Sequence, residues 1–332
     1  MAVELLSDVT VGEYLVERGV FPASDGIRVR ELGGGVSNIV LSVRRGELRV
    51  VVKQALPRLR VADEWLAKRE RAITEGEALR LVEQITPGSV PRVLDIDEVA
   101  CALTITEAPE DWQPWKDHLL AGDADPKVAR RLGELLAAWH GATSNDEAIE
   151  RAFEGQEAFD QLRVDPYYRT VSRRRPELAR AVETFIQRMN ATRTCLVHGD
   201  YSPKNVLVGE GICVLDFEVT HYGDPAFDIA FMLNHLLLKR LHVPGASDGI
   251  EQCARDFWDA YRSATAPELL PNLSYVLGHV GCLMVARVDG KSPAEYLRDT
   301  EREGARAVGT ELLLGPPDTL DEALGVVGRA AA

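Results

Sequence analysis

Residues 196–208, L-V-H-G-D-Y-S-P-K-N-V-L-V, are followed a few positions later by V-L-D-F-E at 214–218, and few chemistries ask for that combination. The pattern predicts a strand, a polar loop, a short hairpin and a second, acidic loop. Oxygen-bearing side chains arrive there at fixed offsets: Asp200 directly after His198-Gly199, an amide at Asn205, then Asp216 and Glu218 just past an apolar strand. A turn-forming Asp that caps its own backbone would account for Asp200 alone. It would not account for Asn205, Asp216 and Glu218 standing in register behind it. Lys204 stays open between offsetting phosphate charge and simple exposure.

Phosphoryl transfer from ATP uses such a set. It needs a carboxylate to accept or orient the acceptor hydroxyl proton, and oxygen ligands that hold Mg2+ against the phosphates. Protein kinases give these roles to a catalytic-loop Asp, an Asn five residues later and a DFG Asp, and the spacing from Asp200 to Asn205 matches. H-G-D-Y-S-P-K-N with L-D-F-E resembles the small-molecule kinases of the aminoglycoside phosphotransferase and choline kinase superfamily, the phosphotransferase enzyme family. In the N-terminal third, V-V-K-Q-A-L-P-R-L-R-V-A-D-E-W at 51–65 and R-A-I-T-E-G-E-A-L at 71–79 resemble 5-methylthioribose kinases.

The resemblance implies a bilobal, protein-kinase-like α+β fold. Its small lobe would be a five-stranded antiparallel sheet plus a helix over residues 1–107, binding nucleotide; a large, mostly helical lobe over 108–332 would carry catalysis and substrate binding. It implies Asp200 as catalytic base and Asn205, Asp216 and Glu218 as Mg2+ ligands, Glu218 directly or through water. His198 and Asp228 would support the catalytic loop, Asp228 by anchoring its backbone. ATP would meet Gly33, Gly34, Gly35 and Ser37 at its phosphates, Lys53 with its partner Glu75, and the hinge residues Thr106, Glu107 and Ala108.

Taken singly, several of these residues have plainer accounts. Glycines between two strands let backbone N–H groups approach phosphate, but tight hairpins use them too. A lysine ending V-V-V-K can snorkel to solvent. The resemblance of R-A-I-T-E-G-E-A-L to methylthioribose kinases favours Glu75, four residues before Leu79 and so on that helical face, over Glu77 as the lysine's partner; the plainer account makes both glutamates ordinary helix surface. For the acceptor, F-D-Q-L-R-V-D-P-Y-Y at 159–168 offers Arg163 and Tyr167, as a lid or as a rigid interhelix turn around Pro166, and L-M-V-A-R-V-D-G-K at 283–291 offers Arg287. Methylthioribose kinases resemble H-G-D-L-H-T-G-S in the catalytic loop and carry a paired arginine near the C-terminus, whereas this chain has Y-S-P-K-N and Ala286 before Arg287.

The expected activity is therefore an ATP- and Mg2+-dependent phosphotransferase acting on a small, sugar-like hydroxyl compound. Aminoglycoside phosphorylation is the alternative, and choline-type acceptors follow, for which no aromatic cage declares itself. A nucleotide-binding pseudokinase or interaction module is the rival of another class; it should have lost one of Lys53, Asp200, Asn205 or Asp216, and none is missing.

Composition sets limits. At ~150 residues per domain, 332 residues suggest two. The net charge of −14 and the lack of a basic, aromatic-interleaved cluster argue against a nucleic-acid partner. No apolar run of ~20 residues indicates a membrane span, and the start M-A-V-E-L-L-S-D does not resemble a signal peptide, so a cytoplasmic protein is expected, as monomer or homodimer. Five scattered cysteines predict reduced core thiols. Helices are expected over 7–20 and 62–84, after Asp125-Pro126, Asp224-Pro225 and Ser292-Pro293, and over roughly 149–161, 176–190, 249–264 and 269–288; the tail from Gly315 is weakly patterned.

Overall fold

The computed structural model describes residues 5–33, 37–56 and 68–331. Met1–Trp112 and Cys213–Val219 form one compact unit, Gln113–Ile212 and Thr220–Ala332 the other. The first division thus falls after Trp112, and the D-F-E segment belongs with the N-terminal unit.

In the first unit, β1 (Arg28–Glu31), β2 (Asn38–Arg45), β3 (Leu48–Ala55), β4 (Val93–Asp97) and β5 (Ala102–Thr106) make a five-stranded antiparallel sheet, ordered β1-β2-β3-β5-β4. Alternation along the strands sorts its faces. Ile39, Leu41 and Val43 of β2 and Val50 and Val52 of β3 share a core with Val11 and Leu15 of helix α1 (Val11–Glu17). Val51 and Lys53 turn to the opposite face, where α2 (Arg71–Ile85) brings Glu75 to Lys53. Gly76 permits that approach: a Cβ there would lie 2.6 Å from Ile96 Cδ1.

Both helices are shorter than their sequence patterns. Ser7 and Thr10 hydrogen-bond each other through backbone and hydroxyl groups, a local alternative to helix, and Gly19 at φ 71° closes α1. The second helix begins at Arg71 after a turn at Arg69–Glu70; 62–67, within the expected helix, lie outside the described residues.

The second unit is mostly helical. Its centre is Ala226–His242, buried nearly all round as a uniformly apolar helix must be. Asp125 caps Pro126–Thr143 by accepting from the Lys127 amide, and Asp224 accepts from the Ala226 amide, as the Asp-Pro signals predict. Ser292-Pro293 starts no helix. Ser292 gives its carbonyl and hydroxyl oxygens to Arg287 Nη1, at 2.6 and 2.9 Å, and the next helix runs Asp299–Leu314. The tail is ordered too: Leu320–Ala331 is a helix burying Ala323, Leu324 and Val327. Its stripe is interrupted by glycine and alanine, which weakened the periodicity. Segment 159–168 is neither lid nor turn. Asp160–Arg169 winds as a π-helix with Leu162, Val164, Tyr167 and Tyr168 buried, Pro166 inside it, and Thr170 Oγ1 donating to the Asp165 carbonyl at 2.9 Å.

Leu273–Asp289 crosses Asp299–Leu314 with backbones nearly touching at Gly281 and Gly309. A Cβ on Gly281 would meet Leu313 N at 2.4 Å and Gly309 O at 2.7 Å. Backbone cannot rotate away, so Gly281→Ala is expected to cost about 1–3 kcal/mol, as overpacking does, seen as a lower urea midpoint at unchanged m-value. Gly325→Ala, with nothing within 4 Å of its Cβ, is the control. Equal midpoints for the two variants would mean the helices separate at little cost.

Among the described residues no helix is long and apolar enough to cross a membrane, and all five cysteines are free and buried.

Candidate active site

The chemistry-bearing residues form one cluster in each unit. In the first, β3 ends on Lys53, whose Nζ donates to Glu75 Oε1 at 2.6 Å and to Asp216 Oδ1 at 2.7 Å. Burial alone would depress the ammonium; Asp216, Glu75 and then Glu218 outweigh it and hold Lys53 above its ordinary range. Glu75 moves upward, because burial and the neighbouring carboxylates together exceed the pull of a lysine shared with Asp216. Asp216 stands at φ 73°, left-handed backbone that a non-glycine residue adopts only where its surroundings enforce it.

Glu218 is bound differently from Asp216. Its Oε1 accepts from Ser37 Oγ at 2.9 Å; its Oε2 accepts from Asn38 Nδ2 at 2.9 Å and Arg71 Nε at 3.0 Å. Arg71, 2% exposed, also donates to the Ser37 and Leu56 carbonyls. Ser37 is thus committed to Glu218, and Glu218 ties the acidic loop to the start of β2 and α2. Gly33 is exposed with open space where a Cβ would stand; Gly34 and Gly35 lie outside the described residues.

At the end of β5, Thr106, Glu107 and Ala108 line a cavity of about 150 Å³ with Val90, Trp112 and Cys213. The Glu107 side chain points away to β2, pairing with Arg44 at 2.9 Å and accepting from Ser42 Oγ at 2.7 Å. What the hinge offers a ligand is therefore backbone and an apolar wall.

In the second unit, the strand pair Cys195–Val197 with His221–Gly223 and the pair Gln113–Pro114 with Val206–Val208 bracket the catalytic loop. Asp228, fully buried, accepts from the His198 amide at 2.7 Å and the Gly199 amide at 2.8 Å. Burial would raise its carboxyl, but His140, His198 and the Gly199 amide hold it below the usual carboxylate range. His198 Nδ1 accepts from the Asp200 amide at 3.0 Å, so that nitrogen carries no proton.

Asp200 is held by two donors on one oxygen: Asn205 Nδ2 at 2.7 Å and Arg163 Nη2 at 2.8 Å, both to Oδ2. Arg163 also donates from Nε to the Gly199 carbonyl at 2.8 Å. This guanidinium, expected on the acceptor, is built into the catalytic loop. Tyr167 and Arg287 do come together, Nη1 to the phenol oxygen at 3.3 Å.

Sequence reasoning missed Arg71 and Asn38, the other holders of Glu218, and His140 beneath Asp228. Arg71 had a signal: it stands four residues before Glu75, on the same helical face. His140 and Asn38 had none, since their partners are remote in sequence.

The chain is similar to known proteins in sequence and fold. The model of the phosphotransferase enzyme family matches residues 28–270. Methylthioribose kinase of Yersinia pseudotuberculosis serotype O:1b is 30% identical over 364 aligned residues, covering 90% of this chain and 89% of the relative. Among solved structures, a choline/ethanolamine kinase family protein from Mesorhizobium loti superposes with TM-score 0.51 at 16% identity, covering 96% of this chain and 99% of that one. Ethanolamine kinase of Plasmodium vivax gives 0.53 at 12%, covering 97% and 86%. At such identities these two share the fold. With the family matched across most of its length and a relative across nearly all of it, the chain belongs to the phosphotransferase enzyme family, an enzyme that transfers phosphate to the hydroxyl of a small molecule.

Proposed function

We propose that the protein is an ATP- and Mg2+-dependent kinase of a small, sugar-like metabolite of the methylthioribose kind. The observation that carries the catalytic part is Asp200. Arg163 and Asn205 both bond Oδ2, so the carboxylate is oriented and Oδ1 remains to accept the hydroxyl proton of an acceptor. Lys53, kept protonated by its carboxylates, is the cation for nucleotide phosphates. The cavity at Thr106–Ala108, lined by Val90 and Trp112, offers apolar and aromatic surface for the base. The relative at 30% identity, itself a methylthioribose kinase, supports the acceptor class.

The donor chemistry fits Mg2+. Asp216 supplies a carboxylate, and Asn205, whose Nδ2 is spent on Asp200, has its amide oxygen left over. Mg2+ is usually held by one or two carboxylates, with substrate phosphates and water completing its oxygen shell. Bound at Asp216, Mg2+ would neutralise charge on the transferring group. Glu218, with both oxygens committed, we assign to holding the acidic loop rather than to the metal.

ATP with Mg2+ should raise the melting temperature more than ATP alone, because a ligand that binds only the folded state stabilises by mass action, ~2.7 kcal/mol at a hundredfold its Kd. Asp216→Ala should lose the metal-dependent part. An undiminished shift in that variant would remove Asp216 from the metal, and an absence of ADP formation with every alcohol offered would remove the kinase reading.

A further inference from the structure

Within the second unit, the apolar helix Ala226–His242 carries Phe231, His235 and Lys239 at four-residue steps, along one side. Lys239 is 1% exposed, yet among the described residues its Nζ meets no carboxylate: it gives one long hydrogen bond, 3.3 Å to the His235 carbonyl, and lies 5.4 Å from the centroid of the Tyr296 ring. Burying an ammonium without a counter-charge is costly, and the surroundings add to the cost. Arg287 from Leu273–Asp289 and Lys116 from Trp115–Leu120 bear on it, opposed only by Asp117. Burial first, then these cations, bring Lys239 down to about 7. His235 is pushed well below its ordinary range by burial and then by Lys239, Arg287, Lys116 and Lys204.

Arg287 is no better compensated. Among the described residues its Nη1 meets only neutral oxygens, those of Ser292 and Tyr167, while its Nε is buried with no partner, as is the Tyr296 hydroxyl. Among the described residues none of Lys116, Lys204, Lys239 or Arg287 has a carboxylate within ion-pair distance. In a chain of net charge −14, such a gathering of unmatched cations is a site waiting for negative charge.

We propose that this cluster receives an oxyanion, a carboxylate or a phosphate, carried by the acceptor molecule itself. The inference rests on the kinase reading but departs from a neutral thio-sugar as acceptor, naming a small polyol acid or polyol phosphate instead. Arg287, half-buried, would touch the anion and Lys239 beneath would add charge; Lys116 and Lys204 would add to the field from outside the contact.

The same helix connects the cluster to catalysis. Arg163, which holds Asp200, has its Cζ 5.8 Å from the Phe231 ring centroid. Phe231 stands 5.1 Å from His235 and 5.9 Å from Tyr167, whose hydroxyl reaches Arg287. Phe231 and Lys239 stand eight residues, about 12 Å, apart along the helix, which sets the scale of the separation between anion and phosphorylated hydroxyl. Polycationic acceptors such as aminoglycosides would be repelled.

The test compares kcat/KM, by coupled ADP detection, for gluconate, glucitol and glucosamine, and for glycerol 3-phosphate against glycerol. The anionic member of each set should lead its neutral partner by about tenfold or more, one charge-assisted contact being worth at least ~1.4 kcal/mol. Comparing the two sets separates carboxylate from phosphate. Arg287→Met should erase the lead while AMP-PNP binding is unchanged. Independently, calorimetric titration of the AMP-PNP·Mg2+ complex with inorganic phosphate at pH 8, in buffers of different ionisation enthalpy, should show proton uptake that Lys239→Met abolishes, because an anion favours the charged lysine. Preference for glucitol or glucosamine would overturn the proposal and leave the kinase reading standing. So would loss of AMP-PNP affinity in Arg287→Met, which would give the cluster to nucleotide phosphate. Phosphate binding with proton uptake but no turnover of any alcohol would support the receptor and count against the sugar-like acceptor.

Discussion

Asp200→Asn is expected to lower turnover by about 10²- to 10⁴-fold with nucleotide affinity nearly intact. That is the usual contribution of a general base, roughly 3–5 kcal/mol of barrier. The asparagine keeps size and a hydrogen-bonding oxygen for Arg163 and Asn205, so a fall in rate reports lost basicity more than lost structure. Arg163 separates positioning from binding. Because its guanidinium grips Asp200 and the Gly199 carbonyl, Arg163→Ala should lower kcat with acceptor KM little changed. A raised KM at constant kcat would instead return Arg163 to the acceptor. Near wild-type turnover in Asp200→Asn would remove Asp200 from the chemistry.

The parts of this molecule legible in the sequence are those whose signal is local. The sheet could be read because β-branched residues alternate along β2 and β3, and two helix starts because Asp-Pro both caps and breaks. Ser292-Pro293 carried the same local signal and failed, since Arg287 one turn back took the oxygens that capping needs. The π-helix at Asp160–Arg169 was illegible for a related reason: its side chains are fixed by Tyr168 bonding His279 Nδ1 at 2.7 Å and by Arg163 reaching the catalytic loop, contacts across long stretches of chain. In the site, motif spacing picked out Lys53, Asp200, Asn205 and Asp216, but spacing does not say what a carboxylate touches. Asp216 and Glu218 are two residues apart and look equivalent in sequence. One bonds a lysine at strained backbone; the other closes a buried network around Arg71. The cation cluster was hidden because Lys116, Lys204, Lys239 and Arg287 lie on four separate segments. Its one local trace was a lysine inside an apolar helix.

The assignment of Glu218 to structure is the strongest departure from the sequence reading, and stability and metal dependence separate the alternatives. With Arg71 2% and Glu218 5% exposed, Glu218→Ala takes the Glu218 carboxylate from a buried guanidinium, removes the acceptor of the Ser37 hydroxyl and leaves Asn38 Nδ2 the longer bond to Ser37 Oγ at 3.2 Å. Breaking a buried pair from one side typically costs roughly 3–5 kcal/mol, so the urea midpoint should fall steeply with no nucleotide or metal present. A metal ligand would behave in the opposite way: without Mg2+ its removal would relieve repulsion from Asp216, and the loss would appear as a higher Mg2+ requirement for turnover. Replacing both partners, Arg71→Met with Glu218→Leu, removes both charges and the desolvation they cost, so it should recover much of the stability lost in the single variant. Failure to recover would place the loss in the Ser37 and Asn38 groups deprived of the carboxylate. A single variant as stable as wild type but needing several-fold more Mg2+ would restore Glu218 to the metal.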